Sequence, residues 1–102
     1  MHGVGTCYYK DGSEYKGEWR NDKRDGRGEM HYANGDTYVG EWVGGMRHGK
    51  GELTMINGNV YNGGWYKDKK EGEGSYFYKS AMQKFIGEWR CDTAKVNTFF
   101  FT

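Results

Sequence analysis

A unit of 23 residues recurs along this chain and constrains its fold more than any other feature. Tyr15, Tyr38 and Tyr61 stand 23 residues apart, and Phe85 follows after 24. Every tryptophan of the chain occupies the same position of the unit. Glycine pairs recur with the same step, at Gly26 and Gly28, Gly49 and Gly51, and Gly72 and Gly74. A fixed period of this length indicates a repeat architecture.

The repeat predicts one continuous repeat domain. Its units are residues 1–14, 15–37, 38–60, 61–84 and 85–102. The first reads as the second half of a unit, and the last is degenerate, because it keeps Phe85, Gly87 and Trp89 but lacks the later glycine pair. Atypical terminal units are expected in repeat arrays. Because Met1 falls in the middle of a unit, we expect the chain to be a segment of a longer array.

Within a unit, apolar and charged residues alternate with a period of two. Tyr15, Gly17 and Trp19 share one face of such a segment, and the intervening residues share the other, as in half-buried strands. Glycine is too frequent for helices, with 18 residues, and leucine is too rare for a thick core. The sequence therefore predicts an all-β fold: an elongated single-layer antiparallel sheet of consecutive β-hairpins, with about eight to nine strands.

The parity of the spacings predicts two kinds of turn. Tyr32 and Tyr38 must face the same side and are an even number of residues apart, so the connection at Asn34-Gly35 should have an odd length or a glycine bulge. The other connection, within residues 21–24, should have an even length. Asn-Gly is itself a strong hairpin signal.

The same pairing places glycine beside each indole. We expect Trp19 to lie near Gly26, Gly17 near Gly28, and Gly28 near Trp42. Bare backbone at these glycines would give each ring a flat surface to lie on.

The aromatic face of a single layer has no second layer to cover it, so we expect it to form a partly exposed trough. Contiguous apolar surface usually marks an interaction site, and such a trough suits a helix or an extended peptide from a protein partner, or self-association. The alternative is that neighbouring rings only cover one another. The predicted trough residues are Tyr15, Trp19, Tyr32, Tyr38, Trp42, Tyr61, Trp65, Tyr76, Tyr78, Phe85, Trp89 and Phe100.

The charge pattern argues against nucleic acid as a partner and leaves anionic lipid as an alternative to protein. A net charge of +1 gives no strong field for nucleic acid, and the charges of the face opposite the rings alternate in sign. Lys67, Lys69 and Lys70 lie close together near one tight turn. A weak contact with phosphoinositide or another anionic lipid at these lysines is the alternative to protein binding.

No catalytic constellation stands out in the sequence. The three histidines are scattered, cysteine and histidine lack metal-ligand spacing, and the glycine pairs open strands rather than helices. We therefore expect no enzyme activity, no metal and no cofactor. Cys7 and Cys91 are several strands apart in the predicted sheet, beyond disulfide reach. Two unpaired thiols favour a cytoplasmic location.

The unit Tyr-x-Gly-Glu-Trp-x-x-Gly-x-x-His-Gly-x-Gly, read in full from Tyr38 to Gly51, resembles the MORN repeat (membrane occupation and recognition nexus). Departures are Phe85 for Tyr, Gly64 for Glu, and Asp25 and Glu71 for His. The resemblance implies an elongated ribbon of hairpins that acts as a non-catalytic scaffold or protein-interaction module. The local sequence is similar to that of radial-spoke members of the family. This similarity implies that the chain is part of a cytoskeletal or ciliary assembly such as the axoneme. The family also contains modules at membrane surfaces and regulatory arrays of larger enzymes, and both stay as alternatives.

Overall fold

The computed structural model describes residues 2–94 and 99–101, without the side chains of residues 94 and 99–101. Its strands are β1 (Gly3–Tyr8), β2 (Glu14–Arg20), β3 (Lys23–His31), β4 (Thr37–Val43), β5 (Met46–Thr54), β6 (Val60–Tyr66), β7 (Lys69–Tyr78), β8 (Gln83–Arg90), β9 (Thr93–Ala94) and β10 (Phe99–Phe101). The first eight lie side by side in chain order, and β9 and β10 both pair with β8. All pairs are antiparallel. The predicted all-β sheet of consecutive hairpins is confirmed.

The alternation of the sequence is visible as alternating burial. In β4, Tyr38 and Trp42 are buried, whereas Val39 and Val43, each the next residue along the strand, are exposed. The sheet therefore has an aromatic face, which carries the repeated tyrosines and tryptophans, and a polar face opposite. Because no helix is present among the described residues, the buried side chains must cover one another.

The tight turns between the two strands of a hairpin have two residues each. Both residues of every such turn have positive φ, as in the turns whose twist matches that of the flanking strands. The prediction of an even-length connection is confirmed. The turns are Asn21–Asp22, Gly44–Gly45, Lys67–Asp68 and Cys91–Asp92.

Three of the four longer turns between hairpins have five residues, the odd length that was predicted, whereas the fourth, residues 79–82, has four. The N–H of Tyr32 donates to the carbonyl of Asp36 at 2.8 Å, and the N–H of Gly35 donates back to Tyr32 at 3.0 Å. Gly35 has a φ of 99°, which a residue with a side chain rarely adopts. This turn brings Tyr32 and Tyr38 to the same face.

The register at the tryptophan differs from the prediction. Gly17 lies opposite Gly28 as expected, but Trp19 pairs with Arg24 rather than lying beside Gly26. The two-residue turn brings the ends of β2 and β3 together. A bulge in β3 follows, in which the three residues 25–27 lie opposite the single residue Glu18 of β2. Gly26 instead pairs with Trp42 of the next hairpin. The prediction for Trp19 and Gly26 was therefore wrong, because it assumed a ladder without a bulge.

Side chains at the turns connect each hairpin to the next. The carboxylate of Asp68 accepts from the backbone N–H of Arg47 at 2.8 Å and from its side-chain Nε at 3.1 Å. Asp92 accepts from the N–H of Lys70 in the same way, at 2.8 Å. The longer turns form a second row of such bonds, from Ala33 to Ser13, Ile56 to Asp36, and Lys79 to Asn59.

The tyrosines of the repeat lie on glycines of the following strand. Tyr38 is fully buried, and its hydroxyl donates to the carbonyl of Glu41 at 3.0 Å. A Cβ added at Gly51 would overlap the Tyr38 hydroxyl and ring. The other copies of this contact are Tyr15 on Gly28 and Tyr61 on Gly74. The central glycines are therefore required because a ring occupies the space of their missing side chains.

We predict that Gly51→Ala destabilises the protein by about 2–3 kcal/mol, because the Tyr38 ring must leave its place in a packed core. Gly44→Ala is the matched control: a Cβ there meets nothing within 4 Å, and only its φ of 56° opposes the change. We expect the control to cost about 1 kcal/mol. Urea denaturation followed by tryptophan fluorescence measures both, and equal losses would contradict the role of the ring.

Candidate functional site

The predicted trough residues divide into a buried set and a half-buried set. The buried set is Tyr15, Trp19, Tyr38, Trp42, Tyr61, Trp65 and Trp89. The half-buried set is Tyr32, Tyr76, Tyr78 and Phe85. Phe100 pairs with Phe85 through the backbone, and its side chain lies outside the described residues. Most of the aromatic face is thus closed, and only its half-buried rings offer apolar surface to a partner.

The buried rings form a continuous row in which each tyrosine bridges two tryptophans. The centre of the Tyr38 ring lies 5.0 Å from that of Trp42 on its own strand, β4, and 5.5 Å from that of Trp65 on β6. The Tyr38 ring is nearly perpendicular to both indoles. Tyr15 bridges Trp19 and Trp42 in the same way. Edge-to-face contacts of this kind each contribute about 0.5–1.5 kcal/mol beyond the burial of area.

The indole N–H groups are bonded to glycine carbonyls in three of the four copies. Trp42 and Trp65 donate to Gly28 and Gly51, each at 3.2 Å, and Trp19 donates to a glycine of β1 at 3.0 Å. The buried indole nitrogen of Trp89 has no partner among the described residues. The bare glycine backbone therefore serves the rings as a hydrogen-bond acceptor as well as a surface.

Three cations lie on the aromatic face, and sequence reasoning did not place them there. The guanidinium of Arg47 lies 4.5 Å from the ring centre of Trp65, and that of Arg24 lies 4.8 Å from Trp42. Lys70 occupies the third copy of the position, 5.8 Å from Trp89. Cations over aromatic faces are attracted to the ring electrons. The sequence signal was a basic residue two positions after each of the first three tight turns.

The half-buried rings gather near the C-terminal end of the described sheet. We call this group the C-terminal aromatic cluster; it consists of Tyr76, Tyr78 and Phe85. The ring centre of Tyr78 lies 4.5 Å from that of Tyr76 and 5.3 Å from that of Phe85. The hydroxyl of Tyr76 lies 3.1 Å from the sulfur of Met55. These side chains combine apolar area with hydroxyl groups that can meet a partner.

The three lysines near the third tight turn do not share one surface. Lys67 and Lys69 are exposed, and Lys67 lies 5.4 Å from the ring centre of Tyr66. The side chain of Lys70 is 15% exposed and lies 3.8 Å from the carboxylate of Asp92 on the aromatic face. Neighbouring residues of a strand point to opposite faces, which separates Lys69 from Lys70.

Burial controls the ionisation of the core tyrosines. Loss of solvent raises the pKa of Tyr15 and of Tyr61 to about 12, against an ordinary value of 10.0. The pKa of Tyr38 is raised by the same cause, with nearby Arg47 opposing the change. These hydroxyls stay protonated at physiological pH, which is consistent with their place in the packed row.

Other kinds of site are sparse in the part of the chain that the structure describes. Residues 2–94 and 99–101 bring together no group of His, Cys, Asp and Glu side chains suited to a metal ion. Nor does this part contain a helix with the length and apolar character needed to span a membrane. Cys7 and Cys91 are free thiols.

Comparison with known proteins places most of the chain in one family. The model of the MORN repeat matches residues 1–14, 15–37, 38–60 and 61–80. A search among curated proteins found no match.

We predict that the stability of the fold falls as the pH rises from about 10 to about 12. A tyrosine whose pKa is higher in the folded state stabilises that state below the unfolded value of 10.0, and this contribution is lost as the pH rises through the folded value. Urea midpoints measured between pH 8 and pH 12 test this. Tyr61→Phe should flatten the dependence, and an unchanged slope in that variant would contradict the assignment.

Proposed function

Because the chain belongs to the MORN repeat family, whose repeats are generally non-catalytic modules for protein or membrane interaction, we propose that it binds a protein partner on its aromatic face. The C-terminal aromatic cluster is the observation that carries this proposal. Its three rings are half-buried and lie together, whereas the repeated tyrosines and tryptophans of the same face are buried. The proposed contact surface consists of this cluster and Tyr32, and the buried rings of the predicted trough lie beside it on the same face.

The chemistry of the cluster suits a partner helix or extended peptide. Tyrosine and phenylalanine supply rigid apolar area, and tyrosine adds a hydroxyl at its tip. Tyr76 and Tyr78 are held by contacts with each other and with Phe85, so little side-chain freedom is lost on binding. The rings therefore form a preorganised surface of the kind that often contributes most to binding.

The cations of the same face define the partner further. Arg24, Arg47 and Lys70 follow the row of rings along the array. Complementary charge aids the encounter and orientation of partners. Of these three, Arg47 and Lys70 are paired with the carboxylates of Asp68 and Asp92 within the sheet. We therefore expect a mainly apolar bound segment that places an acidic residue near Arg24.

An anionic lipid is the less favoured partner. Stable attachment to a membrane surface needs a dense basic cluster, and only Lys67 and Lys69 of the three candidate lysines are exposed. We place the protein in a cytoplasmic assembly of the cytoskeleton or cilium because its repeat sequence is similar to that of radial-spoke members of the family. Microscopy of the tagged protein, with its presence or absence on the axoneme as the outcome, tests this placement.

The binding proposal is tested with a matched pair of neighbouring residues. Phe85 and Ile86 are consecutive in β8, and they lie on the aromatic face and the polar face respectively. A photoreactive amino acid at position 85 should capture a partner in cells that position 86 does not. With that partner purified, we expect Phe85→Ala and Tyr78→Ala to weaken binding about tenfold or more, and Ile86→Ala to leave it within about twofold.

Calorimetry gives the affinities, and circular dichroism checks that each variant keeps the sheet. Equal capture from both positions, or equal affinity of the Phe85→Ala and Ile86→Ala variants, would remove the aromatic face as the binding surface.

A further inference from the structure

The polar face carries an apolar patch beside the second and third tight turns. Val43 of β4 and Met46 of β5 lie directly opposite each other, and Tyr66 follows on β6. These side chains are 51%, 37% and 50% exposed. The half-buried ring of His48, also on β5, has its centre 5.1 Å from that of Tyr66 and joins the two ends of the group. We call these four side chains the Tyr66 patch.

The fold does not require apolar residues at these positions. Charged residues hold the same places in other repeats: Arg20 and Arg90 take the place of Tyr66, and Lys23 takes that of Met46. Single apolar residues on a surface are ordinary, whereas several in contact usually mark an interaction site. The composition of the Tyr66 patch therefore indicates binding rather than folding.

The third tight turn, next to this patch, lacks a bond that the other three turns have. In those turns a side chain from the preceding repeat accepts from the first backbone N–H, each bond within 3.3 Å. His48 holds the corresponding position for the third turn, but its ring lies against Tyr66, and no described side chain accepts from the N–H of Lys67. The bonded pairs of the other turns are Asn21 with His2, Gly44 with Asp25, and Cys91 with Glu71.

Two exposed lysines lie beside the same N–H group. Lys67 belongs to the turn, and its ammonium lies 5.4 Å from the ring centre of Tyr66. Lys69 lies directly opposite Tyr66 on β7. Neither lysine forms an ion pair with another described residue, and the nearby carboxylate of Asp68 is paired with Arg47. An open backbone donor and two unpaired cations together favour a carboxylate at this place.

We propose that the Tyr66 patch binds an acidic segment of another protein. An apolar side chain of that segment covers the patch, and a neighbouring aspartate or glutamate lies between Lys67 and Lys69. Its carboxylate accepts from the N–H of Lys67, as the carboxylate of Asp25 accepts from the N–H of Gly44. The array thus shows at its other turns which group completes this one.

This binding surface is separate from the one on the aromatic face. The Tyr66 patch lies on the polar face, because its residues alternate along their strands with Trp42, Arg47 and Trp65 of the aromatic face. One chain can therefore hold a different partner on each face. Binding at the patch does not depend on the function proposed above for the C-terminal aromatic cluster.

A library of random peptides displayed on phage provides the probe, with the intact chain as bait. Depletion on the Tyr66→Thr variant before selection on the parent chain retains peptides that need the patch. Threonine suits an exposed strand position, and circular dichroism checks that the variant keeps the sheet. If it does not fold, Lys69→Glu replaces it in the depletion step. We expect the retained peptides to carry aspartate or glutamate beside an apolar residue.

The affinities of these peptides for three further variants locate the carboxylate. Lys69→Glu should weaken binding about tenfold or more, whereas Lys23→Glu, a lysine at the same position of another repeat, should change it by less than about twofold. His48→Asp should also weaken binding about tenfold, because the chain then supplies its own carboxylate to the third turn. Phe85→Ala should leave binding unchanged, so failure here is distinguishable from failure of the proposed function.

Three results would overturn the proposal. The first is a selection that retains no peptides, or peptides without acidic residues. The second is equal affinity of the parent, Lys69→Glu and His48→Asp chains. The third is sedimentation of the parent chain with vesicles that contain phosphatidylserine, lost in Tyr66→Thr, which would assign the patch to a membrane surface instead.

Discussion

The contact between a tyrosine ring and the glycine backbone of the next strand supports the rest of this structure. Tyr15, Tyr38 and Tyr61 are fully buried although the sheet has no second layer, because each ring occupies the space that a glycine without a side chain leaves. The ring then presents its faces and edges to two tryptophans, whose N–H groups reach the carbonyls of the same glycines in most copies. Removal of solvent from these rings also raises the pKa of their hydroxyls. Packing, hydrogen bonding and ionisation of the core thus depend on one repeated contact.

This arrangement explains how a thin sheet can be stable and still interact with partners. Inside the array each ring is covered by the next repeat, so little apolar surface remains there. Where the neighbouring repeat is altered, the rings are less completely covered, as at the C-terminal aromatic cluster. The proposed binding surface on the aromatic face therefore consists of side chains that elsewhere in the array join one repeat to the next.

Sequence patterns predicted the strands, the faces and the parity of the turns, because these depend on neighbouring residues. The alternation of Tyr38 and Trp42 with Val39 and Val43 is local, and so is the Asn34-Gly35 turn. The pairing of Trp19 was beyond such reasoning, since a bulge of residues 25–27 changes the register without changing the spacing. The cations were missed for the same reason: the bulge and the two-residue turn together bring Arg24 opposite Trp19, on the aromatic face.

The sequence by itself determined that the chain is a repeating β-hairpin array with one aromatic face, because a period of two within a period of 23 residues permits little else. Only the tertiary structure decided which rings are accessible. Tyr38 and Phe85 hold the same position of the repeat, yet the first is fully buried and the second is only half-buried. Exposure depends on what the neighbouring strand places over a ring, and that is a property of the assembled sheet rather than of the repeat unit.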